Sequence, residues 1–407
     1  MARVCVIRQF YVPDDPRVRR EVHALVDAGH TVDIICMRRP NESSLQVDGA
    51  VTIHRLPMAH RRGGIGRYLF EYIGFPLLAG LRLARLHRRR LYDLVQVNTV
   101  PDWLVFAAIV PRLRGVPVLL DLHECMPEFF ASKFRTSLSH PMVRVLSALE
   151  QGSIRFASGA ITCTEQMREA FASRGAPQER LVVVMNSTEE AIFDPSVHRP
   201  RAREHDRFSL ISHGTVEERY GIDTLIRAVK RLNGSIDGLK LEVYGDGSYA
   251  EELEDLVDEL ELRPQVTFHG FAPIDDLLAG IANADAGVVA MKRDAFRDLT
   301  HCNKMFDLIT MRRPVICSRT KSVMACFPDE SLKYFDADDD ADLARAIREL
   351  YEDPGQSRRL VERASAINEP YRWPHQRERY LAVVTALLEG RPLSSVNLMS
   401  TNPENRS

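Results

Sequence analysis

The chain has 407 residues, 45% of them apolar and 27% charged, with a formal charge of −2. That length exceeds one ordinary hydrophobic core and predicts two domains. The near-neutral balance excludes a polycation that binds nucleic acid through bulk charge, and the seven cysteines, with no Cys-x-x-Cys pair, fit reduced buried thiols better than a disulfide framework.

The chain opens with "MARVCVIRQFYVPDD". Its strand-like "RVCVI" (3–7) is interrupted by Arg8, so no signal-peptide core forms. Nowhere do about eighteen apolar residues run together. The expected location is the cytoplasm, with any membrane contact peripheral. A helix follows, with Asp15 to cap it, Pro16 in its first turn and Gly29 at its end; Val18, Val22, Leu25 and Val26 share one face. Next come strands at 31–37 and 51–56, a helix over 67–88, a strand at 94–98, a helix around 102–112 and a strand at 116–122. A helix ending near Ala157 and strands at 159–163 and 181–185 complete the half. Apolar strands alternating with helices predict a parallel sheet covered on both faces.

Residues 196–207, "SVHRPRAREHDR", are polar and aperiodic, and read as a linker. The alternation then restarts, with strands at 208–214, 239–245, 266–270, 286–291 and 314–318. Helices are expected over 222–232, 249–261, 274–283, 304–311 and 341–351. The expected organisation is an N-terminal domain (1–198), a C-terminal domain (207–370), a helix (371–390) packing back on the N-terminal domain, and a disordered tail (391–407).

Ligands of doubly wound sheets bind at the carboxyl ends of the strands. Four such loops stand out in the second half: "HGTVEERYG" (213–221), "GDGSY" (245–249), "FHGF" (268–271) and "KRDAFRDLTHCNK" (292–304). Lys304 opens a helix, where the partial positive charge of the helix repels cations. Lys304 and Arg219 together with free helix N–H groups suit a diphosphate, and Asp307 suits a hydroxyl pair of a sugar or ribose. Read alone, Lys304 and Asp307 are three apart and also fit a plain helical ion pair.

In the first half, "LLDLHECMPEFF" (119–130) places Asp121, His123 and Glu124 at a strand end. A histidine there can hydrogen-bond a sugar hydroxyl or carry a proton. His123, Glu124 and Cys125 are consecutive and cannot all face one metal, so zinc is not expected. Arg61, Gly63 and Gly64 join Asp121 and Glu124 as candidate site residues of this half. The stretch 61–91 mixes aliphatic and aromatic residues with Arg82, Arg85, Arg88 and Arg89; it reads as a basic amphipathic helix able to lie on an anionic membrane or, equally, as a core helix with a solvated arginine face. No phosphate-loop Gly-x-x-x-x-Gly-Lys-Ser/Thr and no Gly-x-Ser-x-Gly occurs.

The segments "DDPRVRREVHALVDAGHTVDII", "VLLDLHE", "ITCTEQM", "SHGTVEERYGIDTLIRAV", "VYGDGSYAEELEDL", "VTFHGF" and "NKMFDLITMRRPVICS", in this order, resemble a retaining glycosyltransferase of family 4 over residues 3–390. The resemblance implies the α/β GT-B fold, two Rossmann-like doubly wound domains facing a central cleft. It implies sugar transfer from a nucleotide sugar to an acceptor hydroxyl with retained configuration, with neither metal nor cofactor. Arg219 and Lys304 would hold the donor diphosphate, His269, Gly270 and Phe271 would lie against the nucleobase, and His123 would contact the transferred sugar. Thr215, Asn303, Asp298 and Asp307 complete the implied donor set. The acceptor would be a glycan or a lipid-linked glycan in surface polysaccharide or glycolipid assembly, and a UDP-sugar is the favoured donor.

The sequence departs from the family pattern at four positions. Of two glutamates usual eight residues apart, Leu299 replaces the first and Asp307 the second; Thr215 and Tyr220 stand where an arginine and a lysine are usual. Aspartate is shorter by about 1.5 Å, and the adjacent Asp298 is the expected substitute for the missing first carboxylate. A non-catalytic partner of a glycan-assembly complex and a nucleotide-sugar epimerase remain as alternatives.

Overall fold

The computed structural model of the protein describes residues 1–12, 14–59, 65–199 and 207–396, with only the backbone course given for 65–70. The candidate residues Arg61, Gly63 and Gly64 therefore lie outside the described residues, as does most of the 196–207 linker. The chain divides into two compact units, Met1–Asn186 with Pro374–Ser407, and Ser187–Trp373.

The first unit runs β1 (Arg3–Arg8), α1 (Pro16–Asp27), β2 (Thr31–Met37), β3 (Leu45–Asp48), β4 (Val51–Leu56), α2 (Ile65–Arg90) and β5 (Leu94–Asn98). It continues through α3 (Ile109–Leu113), β6 (Val118–Leu122), α4 (Met126–Lys133), α5 (Pro141–Phe156), β7 (Gly159–Thr162), α6 (Glu165–Ser173) and β8 (Leu181–Val183). Its sheet has the order β3-β4-β2-β1-β5-β6-β7-β8, parallel except for the edge pair β3–β4. The central strands β1, β5 and β6 are apolar runs with almost no exposed residue, as expected of strands covered on both faces. The Asp15 carboxylate accepts from the Arg17 and Val18 N–H groups and starts α1 at Pro16.

The helix expected around 102–112 is in fact a 3-10 turn over Asp102–Ala108 that continues as α3. Its 3-10 start matters to packing. Trp103 Nε1 donates to Tyr72 O (3.0 Å), and Gly80 of α2 approaches the Ala107 backbone so closely that a Cβ there would stand 3.4 Å from it.

The second unit runs β9 (Phe208–His213), α7 (Ile222–Leu232), β10 (Leu239–Tyr244), α8 (Ala250–Glu259), β11 (Val266–Gly270), α9 (Ile274–Asn283) and β12 (Ala286–Val289). Then come α10 (Asn303–Thr310), β13 (Val315–Ser318), α11 (Lys321–Cys326), β14 (Lys333–Phe335), α12 (Asp340–Glu352) and α13 (Pro354–Asn368). The order β11-β10-β9-β12-β13-β14 is wholly parallel and reverses direction at β9. Loops after β9 and β12 therefore meet where the winding changes hand, the usual ligand position of such sheets. The core packs Leu225, Ile226 and Val229 of α7 against Leu210 and Leu241 of the sheet and Leu343 and Ile347 of α12.

A last helix, α14 (Trp373–Leu388), belongs from Pro374 onward to the first unit. Gln376 Oε1 accepts from Met185 N–H (2.8 Å), and the Tyr380 hydroxyl donates to Gln96 Oε1 (2.6 Å) in the sheet interior. Residues 391–396, expected to belong to a disordered tail, are ordered. Leu393 and Val396 are buried around a 3-10 turn at Leu393–Ser395, because Leu393 fills the space over Gly159 of β7. Six of the seven cysteines are buried, and all seven are free thiols.

Candidate active-site residues

In the second unit, glycines stand at the ends of three adjacent strands. Gly214 N–H donates to Tyr244 O (2.8 Å) and Gly245 N–H to Gly270 O (2.7 Å), so the strand-end loops are laced side by side. Gly214 has φ +91°, and a Cβ there would lie 2.7 Å from Lys304 Cε; Gly245 has φ +124°, and a Cβ there would lie 2.1 Å from Gly214 O. Only glycine fits either conformation at that spacing. The result is a floor of backbone against which the Lys304 stem lies.

Lys304 is the second residue of α10, whose N-cap Cys302 makes no side-chain cap. Its ammonium donates to Thr215 O (3.1 Å) and sits 4.0 Å from the centroid of the Tyr220 ring. Arg219 lies over the same ring, with Cζ 5.4 Å from its centroid, and its Nε is buried without a hydrogen-bond partner. Among the described residues neither cation is paired with a carboxylate, and the simple Lys304–Asp307 ion pair does not form. Burial pushes the Lys304 ammonium below its usual value, and Arg219 pushes the same way against the attraction of Asp307. Two cations gathered on one ring, one of them on a helix N-terminus, are an unfavourable arrangement that an anion relieves. By contrast, Lys292 is neutralised by Asp223 (2.9 Å).

Asp307 is held by groups that sequence reasoning missed. Its Oδ1 accepts from the Thr188 hydroxyl (2.9 Å), and its Oδ2 faces His213 Nε2 (3.2 Å). His213 is the last residue of β9, and its Nδ1 is buried without a partner. The signal for His213 was its place directly before the strand-end glycine; Thr188 carries no comparable signal. Thr215 is exposed beside its carbonyl contact, and Asn303 is exposed at the first position of α10.

One expectation for this unit changes. Asp298 does not stand in for the missing glutamate. It pairs with Arg293 (3.0 Å) and accepts from Lys321 N–H (3.0 Å) at the start of α11. His269, expected to lie against the nucleobase, stands at the end of β11. It stacks on Tyr244 (4.0 Å between centroids, 11° between planes), bonds Glu242 (2.8 Å) and lines an open polar groove with Arg207, Ser209 and Asp276. Gly270 stays in the strand-end floor, and the Phe271 ring is 94% exposed.

In the first unit, the ends of β1, β5 and β6 and the start of α1 enclose a buried ionic set. Arg17, a residue sequence reasoning did not single out, grips Asp121 with two bonds (Nε–Oδ2 and Nη2–Oδ1, both 2.8 Å). It also donates to Val184 O and Asn186 Oδ1 (3.0 Å each). His123 Nε2 meets Asp121 Oδ2 at 2.9 Å, and its backbone N–H donates to Thr99 Oγ1 (3.0 Å). Arg17 and His123 hold the Asp121 carboxyl ionised, well below the usual carboxylate range, despite complete burial. Burial lowers the His123 value, so the ring is neutral near pH 7. With Asp121 ionised, the ring proton sits on Nε2, and Nδ1 is left as a hydrogen-bond acceptor.

Glu21 completes the set: its carboxylate accepts from Gln96 Nε2 (2.7 Å) and lies 3.3 Å from Arg17. Burial and the neighbouring Asp121 raise its carboxyl value well above the ordinary range, so of the two carboxyl groups in the set Glu21 is the one that holds a proton more readily. In the unfolded chain the Glu21 proton leaves near about pH 4.3. The stability tied to this group is therefore full below that point and declines as pH rises toward the folded value. Glu21→Gln should consequently be neutral at about pH 4 and increasingly stabilising above it. Urea midpoints measured across that range check this; a constant offset would contradict a protonated Glu21.

The sequence model described as "Glycosyl transferase 4-like domain" matches residues 15–187, and that of "Glycosyl transferases group 1" matches residues 194–366. Glycogen synthase of Mycobacterium tuberculosis is 26% identical over 298 residues, 70% of this chain and 67% of that one. The lipopolysaccharide core biosynthesis glycosyltransferase LpsD of Rhizobium meliloti is 31% identical over 179 residues, 44% and 49% of the two chains. Among solved structures, sucrose-phosphate synthase of Thermosynechococcus elongatus superposes with a TM-score of 0.75 at 18% identity, over 96% of this chain and 100% of that one. Anabaena HepE in complex with UDP does so with a TM-score of 0.69 at 15% identity, over 95% and 100%. With both units matched in order and the GT-B architecture reproduced, the chain belongs to the family-4 glycosyltransferases.

Proposed function

We propose that the protein transfers a sugar from a nucleoside diphosphate sugar to an acceptor hydroxyl with retention of configuration, without a metal ion, in surface polysaccharide or glycolipid assembly. The observation that carries this reading is the Lys304–Arg219 pair: two cations without carboxylate partners, set on a glycine floor at the strand ends of the second unit. They suit a diphosphate and the charge that grows on it as the glycosidic bond breaks. In the first unit, His123 offers Nδ1 to a sugar hydroxyl, while Asp121 and Arg17 fix its tautomer and orientation. His213, Thr188 and Asp307 form a polar set suited to ribose hydroxyls or to a bridging water. The acceptor is a glycan or lipid-linked glycan met at the cytoplasmic membrane face. UDP is the favoured nucleotide, as bound in the Anabaena neighbour.

The test is calorimetric titration with UDP, GDP, ADP and dTDP in the absence of added metal. One nucleotide should bind preferentially, and its affinity should not change with a chelator present. Binding of none would favour the second reading, a non-catalytic partner in glycan assembly. The observation behind that reading is Asp307, whose two oxygens are already taken by Thr188 and His213.

A further inference from the structure

The exposed face of α2 is not the polar surface expected of a helix on a soluble unit. Ile73, Leu77 and Leu81 recur at four-residue spacing and are 55%, 65% and 56% exposed. At the Gly80–Ala107 crossing, α2 meets the 3-10 turn before α3, and there Phe106, Ile109 and Leu113 form a second outward row, with Leu113 81% exposed. Phe106 packs edge-on against Phe156 of α5 (5.1 Å), and α5 adds half-exposed Met142 and Val145. Three elements thus share an apolar ridge larger than scattered surface leucines make.

The charge around this ridge is mainly positive, although Arg90 is paired with Asp33 (2.8 Å). Residues 71–92, 103–118 and 129–149 contain ten Lys and Arg and a single acid, Glu71, in a chain whose net charge is −2. Glu71 is buried, so it contributes no surface carboxylate. Arg82 is withdrawn from the surface by His54 (2.9 Å), but Arg85, Arg88 and Arg89 are exposed and hold no ion pair among the described residues. They continue the α2 row beyond Leu81. Among the described residues no helix is long and apolar enough to cross a membrane, so an apolar ridge with a basic end lies on a surface and does not span one.

We infer that the first unit docks on an anionic lipid bilayer through this composite ridge, with Leu77, Leu81, Ile109 and Leu113 entering the acyl boundary and Arg85, Arg88 and Arg89 on the lipid headgroups. Charge selects this occupant over a second copy of the chain, because two such faces would bring like charges together. The inference deepens the glycosyl-transfer reading by specifying where a lipid-linked acceptor is met.

The experiment is vesicle flotation of the full chain. Phosphatidylcholine vesicles with about one third phosphatidylglycerol should carry the protein, and pure phosphatidylcholine should carry far less. About 0.5 M salt should release most of it. Leu77→Gln/Leu81→Gln should cut partitioning by roughly tenfold or more. Arg85→Gln/Arg88→Gln/Arg89→Gln should cut it about fivefold per arginine on anionic vesicles only. Both variants change exposed residues and should keep the wild-type thermal midpoint and nucleotide affinity. A wild type that ignores anionic vesicles overturns the docking face, as does a concentration-dependent dimer in sedimentation without lipid that the leucine variant abolishes. In either case intact nucleotide binding leaves the transfer reading standing, so the two failures are distinguishable.

Discussion

Lys304→Ala is expected to yield a folded protein whose turnover of its nucleotide sugar falls by about a hundredfold to a thousandfold, the usual loss when one charge-stabilising donor is removed from an active site. The argument rests on what Lys304 endures without a ligand. It lies at the positive end of α10, shares the Tyr220 ring with Arg219, and is pushed down in pKa chiefly by burial. The helix end, the burial and the neighbouring Arg219 each disfavour the ammonium in the free protein, and the charge of a bound diphosphate offsets them. The alanine variant should therefore be as stable as the wild type or slightly more so, while nucleotide diphosphate affinity drops with turnover. Lys304→Met keeps the stem against Gly214 and removes only the charge, so it should match alanine in activity. Since the lysine loses its proton at a lower pH than an exposed lysine does, donor binding should also weaken on the alkaline side. Paired calorimetry and initial rates test the assignment. Turnover that survives within about threefold would mean the diphosphate is held elsewhere.

How much of this was legible in the sequence depends on the range of the interaction concerned. Strands such as Val118–Leu122 and helices such as Ile222–Leu232 and Ile274–Asn283 were readable because their burial pattern is written within a few residues. The β3–β4 hairpin was missed: Leu45–Asp48 is exposed throughout and joins the sheet only by edge pairing, so its traces are confined to the alternating Leu45 and Val47 and the Gly49 turn. Helix α13 was missed for a related reason, since only Leu360, Ala364 and Asn368 of its fifteen residues are buried.

Among the candidate residues, Lys304, Arg219 and His123 stood out because their residue types are anomalous at strand ends. Arg17 was passed over because an arginine in the first turn of a helix is unremarkable until Asp121, more than a hundred positions away, is seen to close on it (both bonds 2.8 Å). Asp298 misled for the opposite reason. It is adjacent in sequence to Leu299, but its hydrogen bonds turn it to Arg293 and α11.

That missed arginine gives the largest expected effect on stability. Arg17 is the cation of the buried set, and Asp121 has no exposed surface. Arg17→Met keeps an unbranched stem in place but leaves Asp121 charged, desolvated and bonded mainly to a neutral histidine. Orphaning a buried charge in this way costs about 3–5 kcal/mol. Arg17→Lys should recover little, because an ammonium cannot reproduce the two parallel bonds to Asp121 or reach Val184 O and Asn186 at the same time. The decisive comparison is the double variant Arg17→Met/Asp121→Asn. If the loss comes from the stranded carboxylate, removing its charge as well should restore more than half of the stability, a coupling well beyond the few tenths of a kcal/mol seen for independent sites. The protein has two tryptophans, Trp103 and Trp373, and Trp103 belongs to the first unit. In a Trp373→Phe background, urea unfolding followed by Trp103 fluorescence reports on the unit that contains the set. Additive losses in the double variant would show instead that Arg17 stabilises through its contacts to Val184 and Asn186, and that Asp121 orients His123 without the arginine's help.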